Sequence, residues 1–163
     1  MKDTTMNQSE LFSFQTAVDP AWIDYNGHMN IAYYVLAFDK ATDNMFDRLG
    51  LGEAYVTANA ASIFAVEAHV TYDREVVSGD PLTITTQLLG SDAKRVHFFH
   101  QMYHTIDGYL AATNEILGLH VDTAKRRTVP FPEARAAAVA AAVAKHAGVP
   151  RPSAAGRRIS LLR

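Results

Sequence analysis

Within the nine residues Trp22-Ile23-Asp24-Tyr25-Asn26-Gly27-His28-Met29-Asn30, the chain gathers a carboxylate, an imidazole, a glycine and a carboxamide. Aspartate can act as a general base or as a nucleophile, and histidine exchanges protons near neutral pH. Asp24 stands six residues before Asn30, a natural N-cap for the helical pattern that follows. At such a helix start the first backbone N–H groups lack partners and the helix dipole is positive, so negative charge building on a carbonyl oxygen is stabilised there. A carboxylate beside that point suits attack on a polarised carbonyl, and Gly27 lets backbone pass close to the reacting group. Each residue also has a purely structural alternative. Asp24 can close an Asx turn, His28 can brace the loop, and Asn30 can be a plain N-cap.

These groups need elements to position them. Apolar residues at Tyr34, Val35, Phe38, Ala41, Met45, Phe46 and Leu49 recur at helical spacing, which predicts one amphipathic helix from Ile31 to Leu49 closed by Gly50. Leu11 to Val18 reads as a strand before it. From Ala61 the period becomes two, with Phe64, Val66, Ala68, Val70 and Tyr72 on one side and Glu67, His69 and Thr71 on the other. Turn formers at Ser78 to Pro81, Gly90 to Asp92 and Asp107-Gly108 separate further strands over Leu82–Leu89, Lys94–His104 and Tyr109–Val121. An Ala-rich helix follows from about Pro132 to His146. This order predicts an α+β domain in which an antiparallel sheet of about five strands wraps one long central helix, with a C-terminal helix added. The chain divides into a polar segment 1–10, a single domain 11–146 and a flexible basic tail 147–163.

Asp24-x-x-Gly27-His28-x-Asn30, followed by Tyr33 and Tyr34, resembles the Asp-x-x-Gly-His-x-Asn segment of hot-dog-fold acyl-CoA thioesterases of the 4-hydroxybenzoyl-CoA thioesterase-like group. Tyr72-x-x-Glu75-Val76-x-x-Gly79-Asp80-x-Leu82 resembles that group's strand-turn-strand signature, so the likeness covers about Phe12 to Val121. Within the group, Trp22 to Met29, Leu89-Gly90-x-Asp92-Ala93-Lys94-Arg95-x-His97 and Leu119-His120-Val121-Asp122 resemble betainyl-CoA thioesterases, including the thioesterase domains fused to carnitine dehydrogenases. The resemblance implies hydrolysis of a small acyl-CoA thioester, with Asp24 as nucleophile or general base and His28 in support. It places the main-chain donor to the oxyanion seven residues beyond the aspartate, at Ile31. It implies sites built from two chains, in a homodimer or homotetramer, and no cofactor beyond the CoA carried by the substrate.

Other residues are weighed beside it. Trp22, Tyr25, Tyr33, Tyr34, Phe64 and Phe99 are available for an aromatic acyl pocket, for a cage around a quaternary ammonium, or for ordinary packing. Gly27 and Asn30 border the same place. Glu67 and Glu115 sit inside apolar strands and each calls for a partner or a cationic ligand. Lys94 and Arg95 at a turn match the phosphates of CoA, or are solvated turn charges. His97, His100, His104 and His120 do not converge at metal spacing, and no metal site is expected.

The chain is 163 residues long, 48% hydrophobic and 20% charged, which suits one globular domain and excludes wholesale disorder. It has no cysteine, so disulfides and thiolate chemistry are excluded. No signal peptide or membrane span is visible, and a cytoplasmic location is expected. Net charge is −2, yet residues 134–163 hold six bases and no acid. No aromatic interleaves the arginines of the tail, which argues against nucleic acid. No Gly-rich nucleotide motif is present. Two other classes stay open: a hot-dog enoyl-CoA hydratase, whose Asp-x-Asn-x-x-His pattern this chain misses by one residue at Asp24-x-Asn26-Gly27-His28, and a non-catalytic acyl-CoA-binding protein on the same fold.

Overall fold

The structure, a computed structural model, describes residues 10–161, so the polar segment 1–10 lies outside the described residues except for Glu10. The long helix α1 (Ile31–Arg48) forms where the apolar period predicts it. Its Tyr34, Ala37, Phe38, Ala41, Met45 and Phe46 make one buried stripe, while Asp39, Lys40, Asp43 and Asp47 stay exposed. Helix α1 ends at Leu49, and Gly50 leaves it with φ +68°.

The sheet has strands β1 (Phe12–Ala17), β2 (Ala61–Tyr72), β3 (Pro81–Ser91), β4 (Arg95–His104), β5 (Leu110–Asp122) and the two-residue β6 (Arg127–Thr128). All pairings are antiparallel, in the order β1-β3-β4-β5-β2, with β6 beside β5. Helix α1 lies on one face, where Ile84, Met102 and Ala112 meet Val18, Tyr34 and Phe38. Farther along, Met45, Phe46, Leu88 and Phe98 form a second cluster, which α3 (Glu133–His146) closes with Val139. This is the α+β arrangement read from the sequence.

Four local features differ from that reading. A short helix, α2 (Glu53–Asn59), joins α1 to β2; its seven residues are too few for a periodic signal, and Gly52 gives it no side-chain cap. In β2, a bulge between Ala65 and Glu67 breaks the alternation, and because β2 is an edge strand Phe64 and Val66 are about half exposed (52% and 53%) instead of lying in the core. Gly90 and Ser91, read as a turn, extend β3 through a second bulge after Leu88. The basic tail is tied to the sheet, not free. Gln87 Nε2 donates to the Val149 carbonyl (3.1 Å), and the Gly156 N–H donates to Glu115 Oε2 (2.7 Å). Among the described residues no helix is long and apolar enough to cross a membrane.

Under α1 the core contains a histidine. His100 is fully buried, stacked on Phe38 at 5.5 Å and hydrogen-bonded to Thr42 Oγ1 (2.9 Å) and Thr86 Oγ1 (2.8 Å). Burial pushes its pKa down to about 3, and burial also lowers His146. The unfolded chain therefore takes up protons that the native state refuses. Stability should be complete above the ordinary histidine value of about 6.5 and should fall with decreasing pH below it, at a slope approaching ~1.4 kcal/mol per pH unit for His100 alone. Urea unfolding at about pH 7 and about pH 5 measures this, and His100→Gln should flatten the dependence.

Candidate active site

The loop before α1 is built almost entirely by its own hydrogen bonds. Asp19 Oδ1 accepts from the Ala21 N–H (2.8 Å) and starts a single 3-10 turn at Pro20–Trp22. Ile23 and Met29 then bridge in antiparallel fashion. Between them the Asp24 N–H donates to the His28 carbonyl and the Gly27 N–H to the Asp24 carbonyl, both at 3.0 Å. Gly27 sits at φ +81°, which side chains disfavour, so this reversal needs glycine. The Asn30 N–H donates to the Trp22 carbonyl and the Met29 N–H to the Val76 carbonyl, each at 2.9 Å, so the loop is pinned at its own base and to the segment after β2.

Asp24 Oδ1 accepts from the Asn26 N–H (2.8 Å), so the Asx turn forms and fixes the carboxylate's direction. The structural and chemical roles of Asp24 are thus compatible, because the turn occupies one oxygen of two. Asn30 caps α1, its Oδ1 accepting from the Ala32 N–H at 3.0 Å, and the Tyr33 N–H donates to the Asn30 carbonyl. The Ile31 N–H is left as the helix-start donor without an acceptor among the described residues.

Asp24, His28 and Ile31 line one cleft of about 290 Å³, together with Tyr34, Tyr72 and Glu75. The Tyr72 hydroxyl donates to the Ile31 carbonyl (3.3 Å), and its ring meets Tyr34 edge-on at 5.2 Å. Burial raises both phenol pKa values, so both rings are neutral walls. Arg74 borders the cleft and lays its guanidinium over Tyr109 at 3.9 Å.

The remaining candidates are placed elsewhere. Trp22 is buried, stacked on Tyr33 at 5.6 Å with Lys40 Nζ 5.2 Å from its ring centre, so this pair packs the flank of α1. Tyr25 projects from the loop tip, 97% exposed. Glu67 lies on the exposed stretch of β2. Lys94 and Arg95 occupy the β3–β4 turn, where Arg95 Nε donates to Asp92 Oδ2 (2.7 Å) and that hydrogen bond, first of several, holds the Asp92 carboxyl down to about 2. Arg95 registers with Leu119 whereas Tyr72 registers with Ala112, seven residues along β5, or roughly 23 Å at ~3.3 Å per residue. Neither base reaches the cleft within one chain. Glu115 is engaged by His97 Nε2 and the Gly156 N–H, both at 2.7 Å, so it is a structural carboxylate. Among the described residues no three histidine, aspartate or glutamate side chains converge as on a metal ion.

Tyr72, Arg74 and Glu75 were missed as site residues. They close and follow a strand far from Asp24 in sequence, and the Met29–Val76 and Tyr72–Ile31 hydrogen bonds bring them beside it. The strand-turn-strand signature at Tyr72 to Leu82 was the available signal.

The thioesterase-like superfamily matches residues 18–141, and the chain belongs to that family. It is 38% identical over 151 residues to the betainyl-CoA thioesterase of Pseudomonas aeruginosa, covering 93% of this chain and 95% of that one. It is also 38% identical over 144 residues to the L-carnitine dehydrogenase/betainyl-CoA thioesterase of Rhizobium meliloti, which covers 88% of this chain and 29% of that larger protein. Among solved structures, a hypothetical protein from Staphylococcus aureus in complex with CoA superposes with a TM-score of 0.87 at 30% identity, covering 93% of this chain and 95% of that one. A putative thioesterase from Pseudomonas putida does so with a TM-score of 0.79 at 33% identity, covering 93% and 96%. The fold is the hot-dog fold, and the chain is an acyl-CoA thioesterase.

The cap at Asn30 sets the helix start that borders the cleft. Asn30→Ala should lower unfolding stability by about 1 kcal/mol in denaturant titration, while Asn30→Asp should retain most of it.

Proposed function

We propose that the enzyme hydrolyses betainyl-CoA to betaine and free CoA, with Asp24 as the group that initiates attack. The observation that carries the mechanism is the shared cleft of the Asp24 carboxylate and the unpartnered Ile31 N–H. A thioester oxygen set on that N–H is polarised by it and by the dipole of an 18-residue helix. Asp24 either takes a proton from a water that adds to the carbonyl carbon, or adds to it directly and forms an anhydride that water then opens. In both routes the tetrahedral oxyanion collapses, the C–S bond breaks and the CoA thiolate leaves to take up a proton. His28, on the same cleft, helps position the leaving group. Substrate identity rests on the full-length likeness to a betainyl-CoA thioesterase.

The test is thiol release from betainyl-CoA, from its neutral carbon isostere tert-butylacetyl-CoA, and from 4-hydroxybenzoyl-CoA. Betainyl-CoA should have the highest kcat/KM; equal values for the isostere would remove the betainyl assignment. Asp24→Asn should lower turnover by at least ~100-fold with an unchanged circular dichroism spectrum. Near-normal cleavage by the folded variant would sink the role of Asp24.

We also propose that the enzyme is at least a dimer, paired through the β2 edge. Phe64 and Val66 are exposed there, and an unpaired edge strand is a ready template for a second copy. Light scattering at micromolar concentration should give at least twice the 17.9 kDa chain mass, and a monomer would overturn the proposal.

A further inference from the structure

A second cavity, about 570 Å³, opens between α1, α2 and β2, away from the Asp24 cleft. One wall is acidic. Asp39, Asp43 and Asp47 follow at four-residue intervals along α1, and Glu53 joins them from α2. Like charges so spaced destabilise a helix. No lysine, arginine or histidine lines the cavity, and the packed field, after burial, raises the Asp43 carboxyl pKa. The other wall is apolar, with Phe46, Phe98 and Ile116. Set into that wall is Asn114, 3% exposed, whose Oδ1 has no hydrogen-bond partner. An acceptor left without a donor in that position keeps an uncompensated carbonyl dipole, which favours positive charge nearby.

We infer that this cavity holds the quaternary ammonium group of the acyl chain, with Asp39, Asp43, Asp47 and Glu53 supplying charge, Phe46 and Phe98 apolar contact, and the Asn114 carbonyl a dipole. A trimethylammonium carries a fixed charge beneath an apolar methyl surface and has no N–H to satisfy, so it fits a site with one charged and one greasy wall. A metal ion does not fit, because no three carboxylates converge. Glu67 and Glu115, the carboxylates considered from sequence, do not line the cavity.

The inference rests on the betainyl reading and adds a constraint to it. Asp39 lies eight residues beyond Ile31 on the helix, about 12 Å, and Asp47 sixteen, about 24 Å. In a betainyl thioester only one methylene separates the nitrogen from the reacting carbon. A cation seated beside Asp43, Asp47 and Phe46, twelve or more residues and so about 18 Å or more beyond Ile31, therefore does not belong to a thioester held on the same chain's Ile31. Ala65 and Ala68, which line the cavity, lie on the exposed stretch of β2 proposed above to pair with a second copy. The thioester is then attacked by Asp24 of that second copy.

Tetramethylammonium chloride is the direct probe, titrated calorimetrically against sodium chloride at matched ionic strength. The wild-type protein should bind it saturably, and Asp43→Asn should weaken binding by about tenfold or more. Asp43→Asn should not lower the melting temperature, because it relieves like-charge repulsion. In turnover it should depress kcat/KM for betainyl-CoA more than for tert-butylacetyl-CoA. Absence of saturable binding, or equal binding by wild type and variant, would overturn the site. If the wild type shows no preference for the cationic substrate, the betainyl reading has failed. If it does and Asp43→Asn keeps that preference, the cavity assignment has failed while the reading stands. Co-expressed Asp24→Asn and Asp43→Asn chains should turn over betainyl-CoA faster than either variant alone; no gain would overturn the sharing of the site between copies.

Discussion

The start of α1 is the point on which the candidate chemistry depends. Its geometry comes from three main-chain ties: Asn30 to Trp22, Met29 to Val76, and the Asp24–His28 bridge. Together they hold a carboxylate and a helix-start N–H toward one small space. Both groups line that cleft on hydrogen-bonded backbone, and preorganised donors of this kind are where electrostatic stabilisation of an oxyanion gains most. The Asx turn at Asp24 serves the same end, since it fixes the carboxylate's direction through the backbone of its own loop. Side chains outside the loop can then vary with the substrate without disturbing the reacting groups.

The long helix can present that end because its opposite face is well buried. Phe38, Ala37 and Met45 have no exposed surface, and His100 is stacked beneath Phe38 with both ring nitrogens hydrogen-bonded. A polar ring in such a place is tolerated only when satisfied and neutral, which ties the helix's seat on the sheet to pH. The same constraint makes His100 an unsuitable ligand or base, despite standing between His97 and His104 on one strand.

Much of this was legible from residue order. The helical period of Ile31 to Leu49 and the alternation of the strands are strong because each element has one wet and one dry side. The Asp24 loop was legible because turn formers and a cap leave few conformations open. What escaped detection depended on tertiary placement. Trp22 and Tyr33 looked like pocket aromatics but spend their faces on each other and on Lys40. Lys94 and Arg95 looked like phosphate ligands, yet the Arg95 guanidinium is held by Asp92 of its own turn, to which Lys94 gives only its backbone N–H, and the register sets both far from the cleft of their own chain. Tyr72 and Glu75 were hidden because tertiary hydrogen bonds, Met29 to Val76 and Tyr72 to Ile31, bring their strand end to the cleft.

The acidic stripe on α1 gives little signal in the sequence by its charge alone, because a charged outer helix face is ordinarily solvated. Its spacing is the better clue. Three aspartates at four-residue intervals, with Lys40 turned to Trp22 and Arg48 to Phe12, leave the face without a neutralising base. The dipole of α1 is positive at Ile31 and negative toward Arg48, so aspartates late in the helix add to an already unfavourable potential. One helix thus offers an anion-stabilising end and a cation-attracting flank, and a cationic acyl group bearing a developing oxyanion has those two charges in sequence. The roughly 18 to 24 Å from Ile31 to Asp43 and Asp47 on a single chain is what calls for a second chain to bring the two charges to one substrate.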